Sequence, residues 1–250
     1  MSIEGLHVLP VKGMPEIGQG MSVGEEIAAR VELREGDVVV VAQKIVSKAE
    51  GRVRRLADVT PGDEAQRLAA VLGKDPALVE LILAESREVL RAERGVLIVE
   101  THHGFVCANA GVDSSNLPEQ GTVSLLPEDP DASARRIRVE LAAAAGVSPA
   151  VIVADSFGRA WRLGQVEVAI GCAGIAPLDD WRGRKDAEGR ELEATQIAIA
   201  DEAAAAADLV RNKASRTPAA IVRGLAHHVT NEDGPGAASL RRPRAEDLFR

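Results

Sequence analysis

The chain has 250 residues, 46% of them hydrophobic, which is enough apolar surface for one large domain or two modest ones. Aromatic residues make up only 2%, tyrosine is absent and the formal net charge is -8, so neither a stacking platform for bases nor a basic face for a polyanion is on offer. That excludes nucleic acid as the expected partner. No apolar run approaches ~18 residues and no leader-like pattern opens the chain, so neither a membrane span nor a signal peptide is expected and a cytoplasmic protein is. Cys107 and Cys172 have no partner spacing for zinc or a disulfide framework, which predicts buried free thiols.

Residues 6–13 (Leu-His-Val-Leu-Pro-Val-Lys-Gly) alternate apolar side chains before a Pro/Gly-rich loop, the pattern of an edge strand. A helix is expected over 23–33. Residues 37–42 (Asp-Val-Val-Val-Val-Ala) are continuously apolar and β-branched, the sign of a central strand covered on both faces. It delivers a polar, basic segment, 43–52, in which Lys48 reads either as a phosphate ligand or as a solvated lysine. Thr60-Pro61 suits a helix start and the spacing predicts a helix over 63–72 closed by Gly73; a second begins near Asp75-Pro76. Residues 96–99 and 105–108 flank His102-His103-Gly104 as a hairpin.

The loop after that hairpin, 109–116 (Asn-Ala-Gly-Val-Asp-Ser-Ser-Asn), is small and polar. Its Asp113 and Asn116 fit an ordinary turn, or a loop whose backbone approaches a phosphate while the carboxylate takes a metal. Pro130-Asp131 opens an amphipathic helix to 145 with Gly146 as its stop, leading into an apolar strand at 149–153.

Asp155 and Ser156 then stand at the expected carboxyl end of that strand, where open α/β sheets place ligand chemistry. Phe157, Arg159, Trp161 and Arg162 follow closely. A carboxylate and hydroxyl for a cation, with guanidinium groups beside them, can hold a metal-bound phosphate; a charged loop capped by Asp155 is the plain alternative. Beyond it, 191–210 reads as one long helix whose alanine run, 203–207, suits a buried helix–helix or subunit contact. Gln196 and Glu202 could reach a metal, though a solvated face fits them as well. Residues 219–225 form another buried strand, and 231–250 a Gly/Pro-rich tail, either mobile or docked by its last apolar pair.

The sequence lacks the P-loop pattern, a Gly-x-Gly-x-x-Gly after a strand, a Gly-x-Ser-x-Gly elbow and helical His-x-x-x-His spacing. The pairs His102-His103 and His227-His228 read as surface or turn residues. What remains is a set of strand-end aspartates with lysines and arginines, which fits phosphate chemistry run by metal ions better than covalent catalysis.

Three segments together resemble the coenzyme F-420-0:L-glutamate ligase family: 46–52 (Val-Ser-Lys-Ala-Glu-Gly-Arg), 111–116 (Gly-Val-Asp-Ser-Ser-Asn) and 155–162 (Asp-Ser-Phe-Gly-Arg-Ala-Trp-Arg). Leu9-Pro10-Val11, 199–202, 221–224 and 247–250 are further similar pieces. The resemblance implies a mixed α/β fold of the family's own, neither P-loop nor Rossmann, in an intertwined homodimer. Residues 1–230 would be the ligase domain and 231–250 a C-terminal tail, without the nitroreductase-like domain of some actinobacterial relatives.

It also implies a GTP-dependent amide ligase that adds L-glutamate to the lactyl carboxylate of F-420-0 and then further glutamates through γ-linkages, by way of an acyl phosphate. Carried over by motif, Asp113 and Asp155 would bind one divalent metal and Ser156 a second, with manganese or magnesium expected, and potassium also used. Asp113, Asp155 and Arg159 would form the catalytic set, and Leu9, Pro10, Val11, Lys12, Gln43, Lys48 and Asn116 would contact GTP. Three positions depart from the family pattern: Ser156 replaces a common Thr, Gln43 a Ser, Thr or His, and Lys213 a residue proposed as a second-metal ligand. Two other readings stand beside the ligase: a metal-dependent phosphohydrolase or nucleotidyl transferase on the same aspartates, and a non-catalytic dimeric binding module.

Overall fold

In the computed structural model, which describes residues 5–211 and 215–248, the apolar segment expected as a central strand lies in the middle of a five-stranded sheet. In chain order, β1 (His7–Pro10) is followed by α1 (Val23–Ala28), β2 (Val38–Ala42), α2 (Gln43–Ala49) and β3 (Val53–Arg55). Next come α3 (Asp63–Leu72), α4 (Pro76–Ala84), the meander β4 (Ser86–Glu93), β5 (Val96–Thr101) and β6 (Val106–Ala108), and then β7 (Thr122–Ser124). The second half holds α5 (Pro130–Ala145), the hairpin β8 (Ala150–Arg159) and β9 (Arg162–Ala173), the short ribbon β10 (Asp179–Asp180) and β11 (Gln196–Ile197), α6 (Ile199–Asp208) and β12 (Ala219–Arg223).

The main sheet has the order β1-β12-β2-β8-β9, with β2 and β8 parallel and every other pair antiparallel. This is the mixed α/β arrangement expected, without a P-loop or dinucleotide-binding glycine loop. Pro10 sits on the edge strand, where its missing N–H interrupts no central ladder. Period-two alternation sends Val39, Val41, Val151, Val153 and Ile221 to one face, against Val23 and Ile27 of α1 and Ile137 and Leu141 of α5. Val38, Val40, Ala150, Ile152 and Val222 face the other way, onto α6. A third core, made by α3, α4, β5, β7 and the loop around Val112, lies beside this sandwich.

Local chemistry explains the helices. Asp75 caps α4 through Ala77 N–H at 2.8 Å and Asp129 caps α5 through Ala132 N–H at 2.9 Å, each with proline at the first helical position. Gly146 closes α5 at φ 71°, a left-handed conformation that costs a residue with a Cβ more.

Several expectations are corrected. The helix expected to 33 stops at Ala28, because the Arg30 guanidinium takes the carbonyls of Glu26 and Gly13 and the chain leaves its helical path. Segment 43–52 is not merely polar but contains α2. The long helix of 191–210 begins only at Ile199, because Gln196 and Ile197 pair with Asp180 and Asp179 and Trp181 N–H bonds the Thr195 carbonyl. Ala203, Ala204 and Ala207 of α6 pack on its own sheet rather than on another helix; small side chains let the helix lie close to a flat Val/Ala surface. β4, a strand of charged side chains, had no apolar signal in the sequence.

The tail left open as mobile or docked is held at several points among its described residues. Asp131 of α5 accepts from Ala237 N–H at 2.8 Å, and Arg244 reaches Glu88 of β4 at 2.8 Å. Leu248 is 85% exposed, while Phe249 lies outside the described residues.

Candidate active site

Parallel pairing of β2 with β8 puts Ala42 beside Ala154, so Gln43 at the start of α2 and Asp155 leave the sheet core side by side. β8 does not end there as expected. It runs on to Arg159 as an antiparallel hairpin with β9, and Asp155 is a mid-strand residue at the point where the parallel pairing stops. The hairpin forms one wall of a cleft of ≈ 940 Å³; α2 and the loop 107–118 form others, and the segment before β12 adds the last. That loop turns sharply, with Asn109 at φ 52°, Ala110 at φ 53° and Gly111 at φ 71°. A Cβ on Gly111 would lie 2.8 Å from the Leu126 side chain, so glycine serves both the turn and the close approach.

Asp113 and Asp155 face the same cleft in different surroundings. Burial pushes Asp113 upward, but Lys44 Nζ at 2.6 Å, with Ser115 N–H and Ser115 hydroxyl, outweighs it and holds the carboxyl below the usual carboxylate range. For Asp155 burial dominates. Ser156 N–H opposes it, the charges of Glu167 and Asp113 reinforce it, and the carboxyl is pushed up to about 7. Cys107, on the same wall, is raised to about 12 chiefly by burial, which makes it inert as a nucleophile.

Lys48, only 9% exposed, bonds Glu16 Oε1 at 2.5 Å and the Asn116 carbonyl at 3.0 Å. Gln43 Oε1 accepts from Ser47 one turn along α2. Across the hairpin, Ser156 donates to Glu167 Oε1 at 2.8 Å, and the Arg211 guanidinium lies 2.7 Å from Glu167 Oε2.

Of the residues singled out in the sequence, Asp113, Asp155, Ser156, Gln43, Lys48 and Asn116 line this one cleft. The described residues that line it do not include Leu9, Pro10, Val11, Lys12 or Arg159. Val11 is buried, its N–H bonded to the Ala219 carbonyl, and Lys12 is exposed just beyond β1. Arg159 is exposed at the hairpin's far end, where it bonds the Leu163 carbonyl. Glu202 and Gln196 are exposed and line no part of the cleft; Lys213 lies outside the described residues.

Sequence reasoning missed Glu16, Lys44, Glu167 and Arg211. Glu167 left one signal: it is a charged residue inside an apolar strand, opposite Ser156. The histidine pairs sit in turns, where His102 meets the Ala84 carbonyl and His103 the Pro127 carbonyl.

Among the described residues no three His, Cys, Asp or Glu side chains form a closed metal cage. The cleft instead offers oxygen donors from two walls, Asp113 on the loop and Asp155 and Ser156 on the hairpin. Such a set suits a hard divalent cation that keeps waters and takes further ligands from substrate phosphates.

Fold and cleft together define a mixed α/β protein with a cleft of small-molecule size lined by carboxylates and basic side chains, outside the P-loop and dinucleotide-binding classes. The profile of the F420-0:Gamma-glutamyl ligase family matches residues 13–224, and the chain belongs to that family. It is 45% identical to the coenzyme F420:L-glutamate ligase of Methanothermobacter thermautotrophicus, over 98% of this chain and 99% of the relative. The protein of the same name from Methanopyrus kandleri is 44% identical over 98% and 99%, and that of Methanocaldococcus jannaschii 43% over 100% and 97%.

Proposed function

We propose that the chain is a GTP-dependent amide ligase that joins L-glutamate to the lactyl carboxylate of F-420-0 and then adds γ-linked glutamates. The observation that carries this reading is the meeting of Asp113 and Asp155 with Lys44 and Lys48 in one cleft, in a chain whose near-full-length relatives bear that ligase's name. In the reaction a carboxylate oxygen attacks the γ-phosphorus and GDP leaves. The amine of glutamate then attacks the acyl carbon, inorganic phosphate departs and the nitrogen loses a proton.

Each step brings anions together, so the protein must supply positive charge where they meet. Lys48, braced by Glu16 and the Asn116 carbonyl, points an ammonium into the cleft for the phosphates. Lys44 supplies a second and orders the 113–116 loop by bonding Asp113 and Ser115. Asp113 and Asp155 would hold manganese or magnesium, with Ser156 at a second ion and potassium as a further cofactor. When bound, such ions shield the γ-phosphate's charge from the attacking carboxylate.

The proposed assembly is a homodimer. In support, the β8–β9 hairpin reaches past the sheet with Trp161 82% and Leu163 97% exposed, apolar surface of the kind a second copy covers. Sedimentation of the purified protein as a monomer at all concentrations would remove this part.

The test of function is incubation with F-420-0, L-glutamate, GTP and Mn2+, read by mass spectrometry with glutamate-free and ATP controls. Glutamate-sized additions that require GTP are expected. GDP release that ignores glutamate would overturn the ligase in favour of a phosphohydrolase on the same aspartates.

A further inference from the structure

A buried ion pair lines the cleft beside Ser156. Glu167 and Arg211 are 6% and 8% exposed, with Arg211 Nη2 2.7 Å from Glu167 Oε2. Arg211 Nη1 also reaches the Pro218 carbonyl at 3.3 Å, so the pair joins β9 to the segment that leads into β12. Two desolvated charges of this kind stabilise a fold no better than an apolar pair of the same volume. Their position is more informative, because Glu167 stands directly opposite Ser156 in the β8–β9 register and accepts a hydrogen bond from its hydroxyl at 2.8 Å.

A serine hydroxyl has one O–H and two lone pairs, whereas an ionised carboxylate only accepts. With its hydrogen directed at Glu167, Ser156 Oγ turns its lone pairs toward whatever else it meets. A cation is then favoured at that oxygen and a phosphate oxygen is repelled. Arg211 completes the arrangement. Its guanidinium faces Glu167 Oε2, so the two carboxylate oxygens are divided between Arg211 and the Ser156 hydroxyl. We propose that Glu167, anchored by Arg211, is a positioning residue that presents Ser156 Oγ as a lone-pair donor to a divalent cation. This deepens the ligase reading above and rests on it.

Glu167→Gln tests it while preserving volume. The Arg211 donors would take the amide oxygen, so the NH2 group would turn to Ser156 and donate to its oxygen, reversing the bond. Mn2+ binding, read from the electron paramagnetic resonance of free Mn2+ with a GTP analogue whose β,γ bridge cannot be cleaved, should weaken about tenfold or more. Turnover should fall with little change in KM for GTP.

The decisive arm is the double-mutant cycle. In a Ser156→Ala background, Glu167→Gln should cost almost nothing further in Mn2+ affinity, because its effect passes through the missing hydroxyl. Equal losses in both backgrounds, or no loss in either, would overturn the positioning role. If Glu167→Gln does not fold, the paired change Glu167→Met with Arg211→Met removes both buried charges and the acceptor together. It should show the same Mn2+ loss at unchanged Tm, and wild-type Mn2+ binding in that variant would overturn the role. A wild-type protein that binds no Mn2+ with the analogue would instead overturn the ligase reading itself.

Discussion

Asp113 and Asp155 are the same side chain in the same cleft, and their surroundings drive them apart: Lys44 holds one ionised, while burial pushes the other up to about 7. Asp113→Asn or Asp155→Asn should lower ligase turnover at least ~100-fold with the fold intact, since electrostatic contributions of this kind are worth several kcal/mol. Steady-state kinetics beside circular dichroism checks this, and wild-type rates in both variants would remove the site.

The raised carboxyl also predicts a slope of stability with pH in metal-free protein. Between the ordinary value of 3.8 and about 7, the native state holds a proton at Asp155 that the unfolded chain has shed. Stability therefore falls as pH rises across that window and levels off above it. Asp155→Asn should remove this component, so its Tm advantage over wild type should grow across the window and then stay constant; a difference independent of pH would contradict the assignment. The aspartates were visible in the sequence because a carboxylate beside Ser in a small-residue loop or after an apolar run stands out. Lys44 and Glu16 were not, because a surface lysine and a ligand-facing one look alike until folding places them.

At the scale of elements, the apolar runs that became β2, β8 and β12 were legible because strands buried on both faces carry no polar alternation. α4 and α5 were legible through their caps, and α3 through its spacing and closing Gly73, although its N-cap is Gly62 without a side-chain bond and not the expected Thr60. The start of α6 was not, since nothing in Glu-Ala-Thr-Gln-Ile tells that pairing with β10 will claim those backbone groups. Nor could local pattern reveal that β8 would continue past Asp155, because its outer half is shaped by β9 and not by a core. Ile152, fully buried between β2 and α6, should cost about 2–5 kcal/mol when cut to Ala. Gly111→Ala should cost about 1–3 kcal/mol by overpacking against Leu126. Because Gly111 sits two residues from Asp113, it should also depress activity more than its stability loss alone explains, whereas Ile152→Ala should not. Chemical denaturation and initial rates on the same preparations separate the two effects.

At the scale of the whole molecule, charge and composition left small-molecule chemistry as the expectation. No helix among the described residues is long and apolar enough to cross a membrane. The main sheet is assembled from distant pieces: His7 pairs with Arg223, and Val38 with both Val222 and Ala150. The third core draws on residues 65–125, close together along the chain. Loop closure makes distant pairings slow to form, so the two parts need not order together. In a refolding experiment with pulsed hydrogen exchange, amides of α3 and α4 should gain protection before those of β1 and β12; simultaneous protection would contradict this. During synthesis the consequence is sharper. The edge strand β1 emerges from the ribosome before the other described strands and must wait for β12, its neighbour in the sheet, so a strand made early is among the last to find its place.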